Sequence, residues 1–257
     1  MSKTAPSFWR GKTYWLVGAS EGLGRSLAFE LSRSGATLYL SARSKERLEE
    51  LAEALPGAAT AAPMDVRDRE SVEAAFDAIP ELDGVIYCAG VYEPMAAQDW
   101  DKEAVETMFD VNLIGAARVL GAVLPNMVAR GHGHIVLIGS LAGLSGLPNA
   151  IGYGASKAGL IHLAESLRAD LLPTSFNVQV VNPGFIETRL TAKNDFRMPG
   201  LTTADDAARR TRKCIETGRF RTYFPYWFAA LFRLARFIPD WLYFGALGAT
   251  KTKTPRS

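Results

Sequence analysis

Three residues in the middle of the chain have the types and spacing for proton chemistry. Tyr153 and Lys157 stand four apart in the run Tyr-Gly-Ala-Ser-Lys, so on a helix both heads reach one small volume. An ammonium beside a phenol favours the phenolate and lowers its pKa, which makes a tyrosine a usable proton donor or acceptor near neutrality. Ser140, at the end of an apolar run, offers a hydroxyl that can hold a carbonyl or alcohol oxygen. Nearer the N-terminus, Gly18-Ala19-Ser20-Glu21-Gly22-Leu23-Gly24 follows an apolar stretch and precedes a helical one. Backbone N–H groups and the positive end of the helix would there face a phosphate, and glycines would let a pyrophosphate approach closely. The spacing is Gly-x3-Gly-x-Gly rather than the commoner Gly-x-Gly-x-x-Gly. Past the next strand, Leu40-Ser41-Ala42-Arg43 carries an arginine where NAD sites commonly place a carboxylate. A guanidinium binds the 2′-phosphate that a carboxylate would repel, so Arg43 points to NADP(H). The competing role for Arg43 is a surface partner of Glu46.

Positioning these groups takes alternating strands and helices, and the hydrophobic pattern supplies them. Strands are expected over 14–17, 37–40, 60–64, 84–87, 135–138 and 178–181. Helices are expected over 23–31, 45–55, 69–78, 102–110, 111–130 (bent near Pro125) and 155–171. Gly35 sits where a helix C-terminal glycine belongs. The fold class is α/β: a doubly wound, Rossmann-like parallel sheet in one domain (1–224), followed by a C-terminal amphipathic helical extension (225–257). Right-handed crossovers then put the loops after the strands along one edge, where ligands bind.

Composition narrows the function classes. An apolar share of 48% is enough for a sizeable core in a chain of 257 residues. A net charge of +2 is too even to mark a nucleic-acid binder. Two cysteines, Cys88 and Cys214, exclude a disulfide framework and fit a reducing, cytoplasmic compartment. The cysteines and the three histidines lack zinc-ligand spacing, so no metal is expected; Cys214, His132 and His134 are assigned no chemistry. No signal peptide is expected, because the first residues lack an apolar core followed by a cleavage site. The uncharged run 131–156 is long enough to span a bilayer, but its glycines and polar residues read as a strand, a loop and the start of a helix.

In their order along residues 12–224 these motifs resemble the short-chain dehydrogenase/reductase family, in its single-domain form of about 250 residues. Gly18-x3-Gly22-x-Gly24 matches its cofactor loop, Ser20, Glu21 and Leu23 included, and Asp65-Val66 matches the pair that contacts adenine. Cys88-Ala89-Gly90 stands where the family has Asn-Ala-Gly beside the cofactor. Asn112 corresponds to the asparagine of the proton-relay helix, and Ser140, Tyr153 and Lys157 to the catalytic trio. Pro183-Gly184 with Ile186 and Thr188 resembles the segment that orients the nicotinamide carboxamide. The resemblance implies an NADP(H)-dependent oxidoreductase that interconverts a ketone or aldehyde and an alcohol. Tyr153 would be the general acid or base. Lys157 would bond the nicotinamide ribose and depress the tyrosine pKa, Ser140 would polarise the substrate oxygen, and Asn112 would hold a water linking Lys157 to solvent. It also implies a homodimer or homotetramer built on the helices at 111–130 and 155–171. Two positions depart from the pattern: Cys88 replaces an asparagine that ties neighbouring strands, and Glu21 occupies a loop position often basic in NADP(H)-preferring members.

Two other functions compete with this one: a nucleotide-binding regulator or scaffold on the same fold, and an epimerase or dehydratase using a similar Tyr-x3-Lys pair. The full Ser–Tyr–Lys–Asn set argues against the first, and the absence of a substantial substrate domain against the second. In segment 185–199, Leu190, Phe196 and Met198 fit either an apolar substrate pocket or plain core packing. The tail places Trp227, Phe228, Leu231, Phe232, Leu234, Phe237 and Ile238 on one broad helical face, with Arg233 and Arg236 opposite, Pro239 ending the run, and Lys251, Lys253 and Arg256 beyond. Such a helix suits peripheral contact with a membrane interface, or packing on its own domain or a partner subunit over the pocket. Either arrangement favours a lipid-like substrate.

Overall fold

Alternation along the strands decides the architecture. On β1 (Thr13–Val17), Trp15 and Val17 enter one apolar layer and Leu16 the other. The same division holds on β4 (Gly84–Tyr87), with Val85 and Tyr87 against Ile86, and on β5 (His132–Ile138), with Ile135 and Leu137 against Val136. Both faces of the sheet are therefore buried, as a parallel sheet requires. Helices α1 (Gly22–Arg33), α2 (Lys45–Ala54) and α7 (Ala204–Glu216) contribute to one layer. Helices α3 (Arg69–Asp77), α5 (Gly115–Arg130) and α6 (Ile151–Leu171) contribute to the other. The structure, a computed structural model, describes residues 8–194, 196, 198–235 and 237–251.

With β2 (Thr37–Ser41), β3 (Ala59–Ala61), β6 (Ser175–Pro183) and β9 (Arg221–Phe224), the sheet has seven parallel strands in the order β3-β2-β1-β4-β5-β6-β9. A second, two-stranded sheet pairs β7 (Ile186–Glu187) with β8 (Thr202–Thr203). The strand order reverses between β1 and β4, and the carboxyl ends of those strands open the crevice where such sheets bind ligands.

Side-chain caps start several helices: Ser44, Asp68, Asp101 and Thr203 each accept a backbone N–H at the head of α2, α3, α4 (Lys102–Phe109) and α7. Each cap contributes about 1 kcal/mol. Helix α4 passes through a π-turn, Asp110–Ile114, into α5, and Pro125 lies inside α5, which continues to Arg130. By length and apolarity the stretch Lys102–Arg130 could cross a membrane. In this fold it lays Ala116, Val119, Val123 and Met127 into the core instead.

Several boundaries differ from the sequence expectation. β3 ends at Ala61, although the Ala62 and Met64 N–H groups still reach the Leu40 and Ala42 carbonyls at 2.8 and 3.0 Å, with Pro63 between them on the open edge of the sheet. Helix α6 begins at Ile151, four residues before the expected start, which puts Tyr153 in its first turn; Gly152 and Gly154 weaken the helical signal there. The run 131–156 is β5, a short 3-10 turn (Leu141–Gly143) and the start of α6. The tail is two helices, α8 (Tyr226–Ala235) and α9 (Asp240–Lys251), separated at Pro239. Arg236, Lys253 and Arg256 lie outside the described residues, as does the side chain of Lys251.

Candidate functional site

Two glycines of the first loop are required by the protein's own packing. Gly18 has φ +91, and a Cβ there would sit 2.5 Å from the Ala89 backbone nitrogen. A Cβ on Gly24 would sit 2.0 Å from the Gly18 carbonyl oxygen. The loop folds that tightly against the end of β4, a nearer reason for these glycines than approach of a ligand. Above it, α1 starts without a side-chain cap bond and without an acid in its first turn. Its leading N–H groups thus remain available to an anion.

From this loop a cavity of about 670 Å3 passes the ends of the central strands and reaches α8. The residues singled out from the sequence converge on it. Gly18, Ser20, Glu21, Gly22, Leu23, Gly24 and Arg43 line one end, with Asp65 and Val66. Ala89, Gly90, Ser140, Tyr153, Lys157, Pro183, Gly184, Ile186 and Thr188 also line it. Asn112 does not. Among the described residues no three His, Cys, Asp or Glu side chains gather as metal ligands.

At the glycine-loop end the acids are already engaged. Glu21 sits 2.7 Å from Arg189 and 3.5 Å from Arg47. Asp65 accepts from the Arg67 backbone N–H and guanidinium, at distances down to 2.9 Å, and those bonds hold its carboxyl below the usual range. Arg43 also faces the cavity and forms no ion pair among the described residues. Glu46, its alternative partner, instead accepts from the Ser44 hydroxyl at 3.0 Å. The surplus charge at this end is therefore positive.

In the middle of the cavity, α6 presents Tyr153 and Lys157 one turn apart. Lys157 is buried and donates to the Ile138 carbonyl at 2.9 Å. Burial pulls its pKa down to about 8, with the nearby Cys88 acting the other way. Its ammonium lies 5.9 Å from the centre of the Tyr153 ring. Burial raises the Tyr153 phenol, and a hydrogen bond with Ser140 opposes the rise. The direction is opposite to the sequence expectation: desolvation is the largest cause, and Ser140, rather than the ammonium, is the group that lowers the phenol. Ser140 also accepts from the Ala142 N–H at 3.1 Å, which fixes its hydroxyl at the head of the 3-10 turn.

Asn112 is fully buried in the π-turn, a backbone irregularity frequent at functional sites. Its amide donates to the Val91 carbonyl at 3.0 Å and to Ser156 at 2.9 Å, while its carbonyl accepts the Val91 N–H at 2.8 Å. The side chain is thus a tie between the chain after β4 and α6. Cys88 leaves the strand pairing intact, because its backbone N–H reaches the Val17 carbonyl at 2.8 Å. Burial pushes its thiol up to about 11, so it is neutral.

The other end of the cavity is aromatic. Phe185, Phe196, Phe228 and Phe232 line it with Leu141, Leu147 and Leu190. Phe185 lies 5.8 Å from both Phe196 and Phe228, centre to centre. Leu190 and Phe196 thus take the lining role considered for them, whereas Met198 turns aside to Asn194. Tyr92, which the sequence reading did not single out, stands edge-on to Tyr153 with ring centres 5.0 Å apart and donates to Asn194 at 2.8 Å. It links the reactive centre to the segment after β7. Arg47 and Arg189 were missed too, since their pairing with Glu21 joins distant parts of the chain.

A family model described as short chain dehydrogenase matches residues 12–198. An uncharacterized oxidoreductase of Myxococcus xanthus is 38% identical over 240 residues, 90% of this chain and 94% of the relative. Ketoacyl reductase HetN of Nostoc sp. is 34% identical over 220 residues, 80% of this chain and 76% of the relative. Among solved structures, the closed form of a serine dehydrogenase complexed with NADP+ superposes with a TM-score of 0.75 at 27% identity, covering 82% of this chain and 94% of that one.

Proposed function

The chain belongs to the short-chain dehydrogenase/reductase family, oxidoreductases of carbonyl/alcohol pairs, and from that premise we propose that it is an NADP(H)-dependent reductase of a lipophilic ketone or aldehyde. One observation carries the reading. A single cavity joins an anion-receptive glycine loop with a free arginine, a Ser–Tyr–Lys group, and an aromatic end.

The residues present fit a dinucleotide. The uncapped α1 N-terminus and residues Gly18 to Gly24 suit the pyrophosphate. Arg43 suits a 2′-phosphate, because Glu21 and Asp65 are both neutralised by arginines. Asp65 and Val66 would flank the adenine; Ala89, Gly90, Pro183, Gly184, Ile186 and Thr188 would hold the nicotinamide half. When bound, the cofactor supplies the hydride.

The chain's own residues bind, orient and move the proton. The Tyr153 hydroxyl is the proton donor to the developing alkoxide in reduction, and the acceptor in oxidation. Ser140, hydrogen-bonded with that phenol, holds the substrate oxygen. Lys157, close enough to ordinary pH to exchange its proton, favours the phenolate once charge develops, and Asn112 braces α6 against the strand end so that the relay keeps its geometry. The aromatic end excludes water from the carbonyl and selects an apolar substituent. The reading includes a homodimer or homotetramer in the cytoplasm, with peripheral membrane contact through the C-terminal extension.

The test is NADPH oxidation by purified protein against a panel of carbonyls from short and polar to long and apolar, with Tyr153→Phe as control. The reading expects turnover that rises with apolar length and vanishes in the variant. NADPH binding without turnover on any carbonyl would favour a nucleotide-binding regulator.

A further inference from the structure

Helix α8 is apolar on both sides. Its inward residues Phe228 and Phe232 line the cavity. At about 100° per residue, its outward side carries Trp227, Leu231 and Leu234, all exposed, with Arg233 at the margin. The apolar surface continues past the helix end to Phe237 (85% exposed) and Trp241 (77% exposed). Of the fifteen large hydrophobic side chains exposed among the described residues, nine fall between Tyr226 and Phe244. A helix apolar all round needs an apolar neighbour on each side, and among the described residues only the inward side is covered, Leu231 and Leu234 staying more than half exposed.

Charge identifies the other neighbour. Residues 225–257 hold five basic side chains and one acid, Asp240. A second copy of this segment would carry the same net positive charge, which opposes self-association. An anionic lipid surface matches both the aromatic side chains and the positive charge. We infer that the outward side of α8, with Phe237 and Trp241, docks on an anionic lipid surface, and that the cavity takes its carbonyl substrate from that surface. One helix, about 10–12 Å thick with its side chains, then separates the lipid from the aromatic end of the cavity. The docking stands on the exposed apolar side chains and the basic charge of the segment; the substrate route rests on the proposed carbonyl reductase activity.

The experiment compares the full chain with the variant Leu231→Ser, Leu234→Ser, Phe237→Ser, Trp241→Ser, none of which lines the cavity. Co-sedimentation uses phosphatidylcholine vesicles with and without phosphatidylglycerol. Activity is read with a water-soluble ketone and with a long-chain ketone dissolved in the anionic vesicles. Unchanged NADPH binding and thermal unfolding certify the variant; Arg233→Glu gives a second arm that alters charge while sparing the apolar surface. The expected result is binding to the anionic vesicles, weakened about tenfold or more in the serine variant, with turnover of the vesicle-borne ketone falling in step and turnover of the soluble ketone retained. Full-length protein left in the supernatant, or a variant that sediments equally well, overturns the docking. So does a serine variant that changes from dimer to monomer while the parent ignores vesicles, because the patch is then a subunit interface. Binding to vesicles with no turnover of either ketone would sink the carbonyl reductase reading and leave the docking in place. Equal loss of both activities in a folded variant would overturn delivery from the lipid.

Discussion

Replacing Arg43 by alanine should separate the two nicotinamide cofactors. In this structure the carboxylates of Glu21 and Asp65 are each taken up by other arginines, Glu21 by Arg189 and Arg47 and Asp65 by Arg67. The guanidinium of Arg43 is the positive group left to meet a 2′-phosphate at that end of the cavity. Losing a hydrogen bond to a charged group costs about 1.5–3 kcal/mol, which is roughly 10- to 150-fold in Kd. NADH has no 2′-phosphate, so its Kd should change little. Fluorescence titration of wild type and variant with both cofactors reads the difference directly. Raising the ionic strength should shrink the gap, since Arg43 is exposed and its attraction is screened. Equal weakening of both cofactors would refute the reasoning, because Arg43 would then act on something they share. Loss of NADPH affinity in Glu21→Gln as large as in Arg43→Ala would refute the balance of charges, since that change removes an acid.

Tyr153→Phe should lower kcat roughly 100- to 10,000-fold while NADPH binding, followed by fluorescence, stays near wild type. Burial sets Lys157 at about 8, so its charge is present below that pH and lost above it; kcat/KM for carbonyl reduction should decline as pH rises through about 8, and the decline should be absent in Lys157→Met, measured on its residual activity. His134 is neutral, accepting the Tyr14 O–H at 2.7 Å and donating to Gln179 at 2.7 Å, and burial lowers its pKa from 6.5 to about 4. Between those values the unfolded chain binds a proton that the folded chain does not, so stability should fall as pH drops from 6.5 to 4, by up to about 3 kcal/mol; His134→Gln should flatten that part of the pH dependence in urea unfolding.

The strands were legible because parallel strands buried on both faces leave short apolar runs bounded by turn residues, as over 84–87 and 135–138. The Tyr153–Lys157 pair was legible because helical spacing is local. The early start of α6 was not, since Gly152 and Gly154 pack closely against Met108 and Ala142 and owe their place to tertiary contact. Nor was the direction of the phenol shift. Spacing shows that an ammonium is near, but only the fold shows that partial burial raises the Tyr153 phenol and that Ser140 is the partner opposing it.

Long-range pairing hides more than local irregularity does. Read along the chain, Glu21 is an acid in a cofactor loop and argues against a phosphorylated ribose. Folding brings Arg47 from α2 and Arg189 from the segment after β7 onto its two oxygens, which offsets the charge on which that objection rests. The tail follows the same logic. Periodicity gathers Trp227, Phe228, Leu231, Phe232 and Leu234 onto one broad apolar face, because a period alone has no inside or outside. The rest of the fold divides that face, sending Phe228 and Phe232 into the cavity and leaving Trp227, Leu231 and Leu234 outside. Sequence therefore offered packing and membrane contact as alternatives for one surface, whereas the structure gives α8 two apolar sides, so covering the cavity does not compete with docking on lipid.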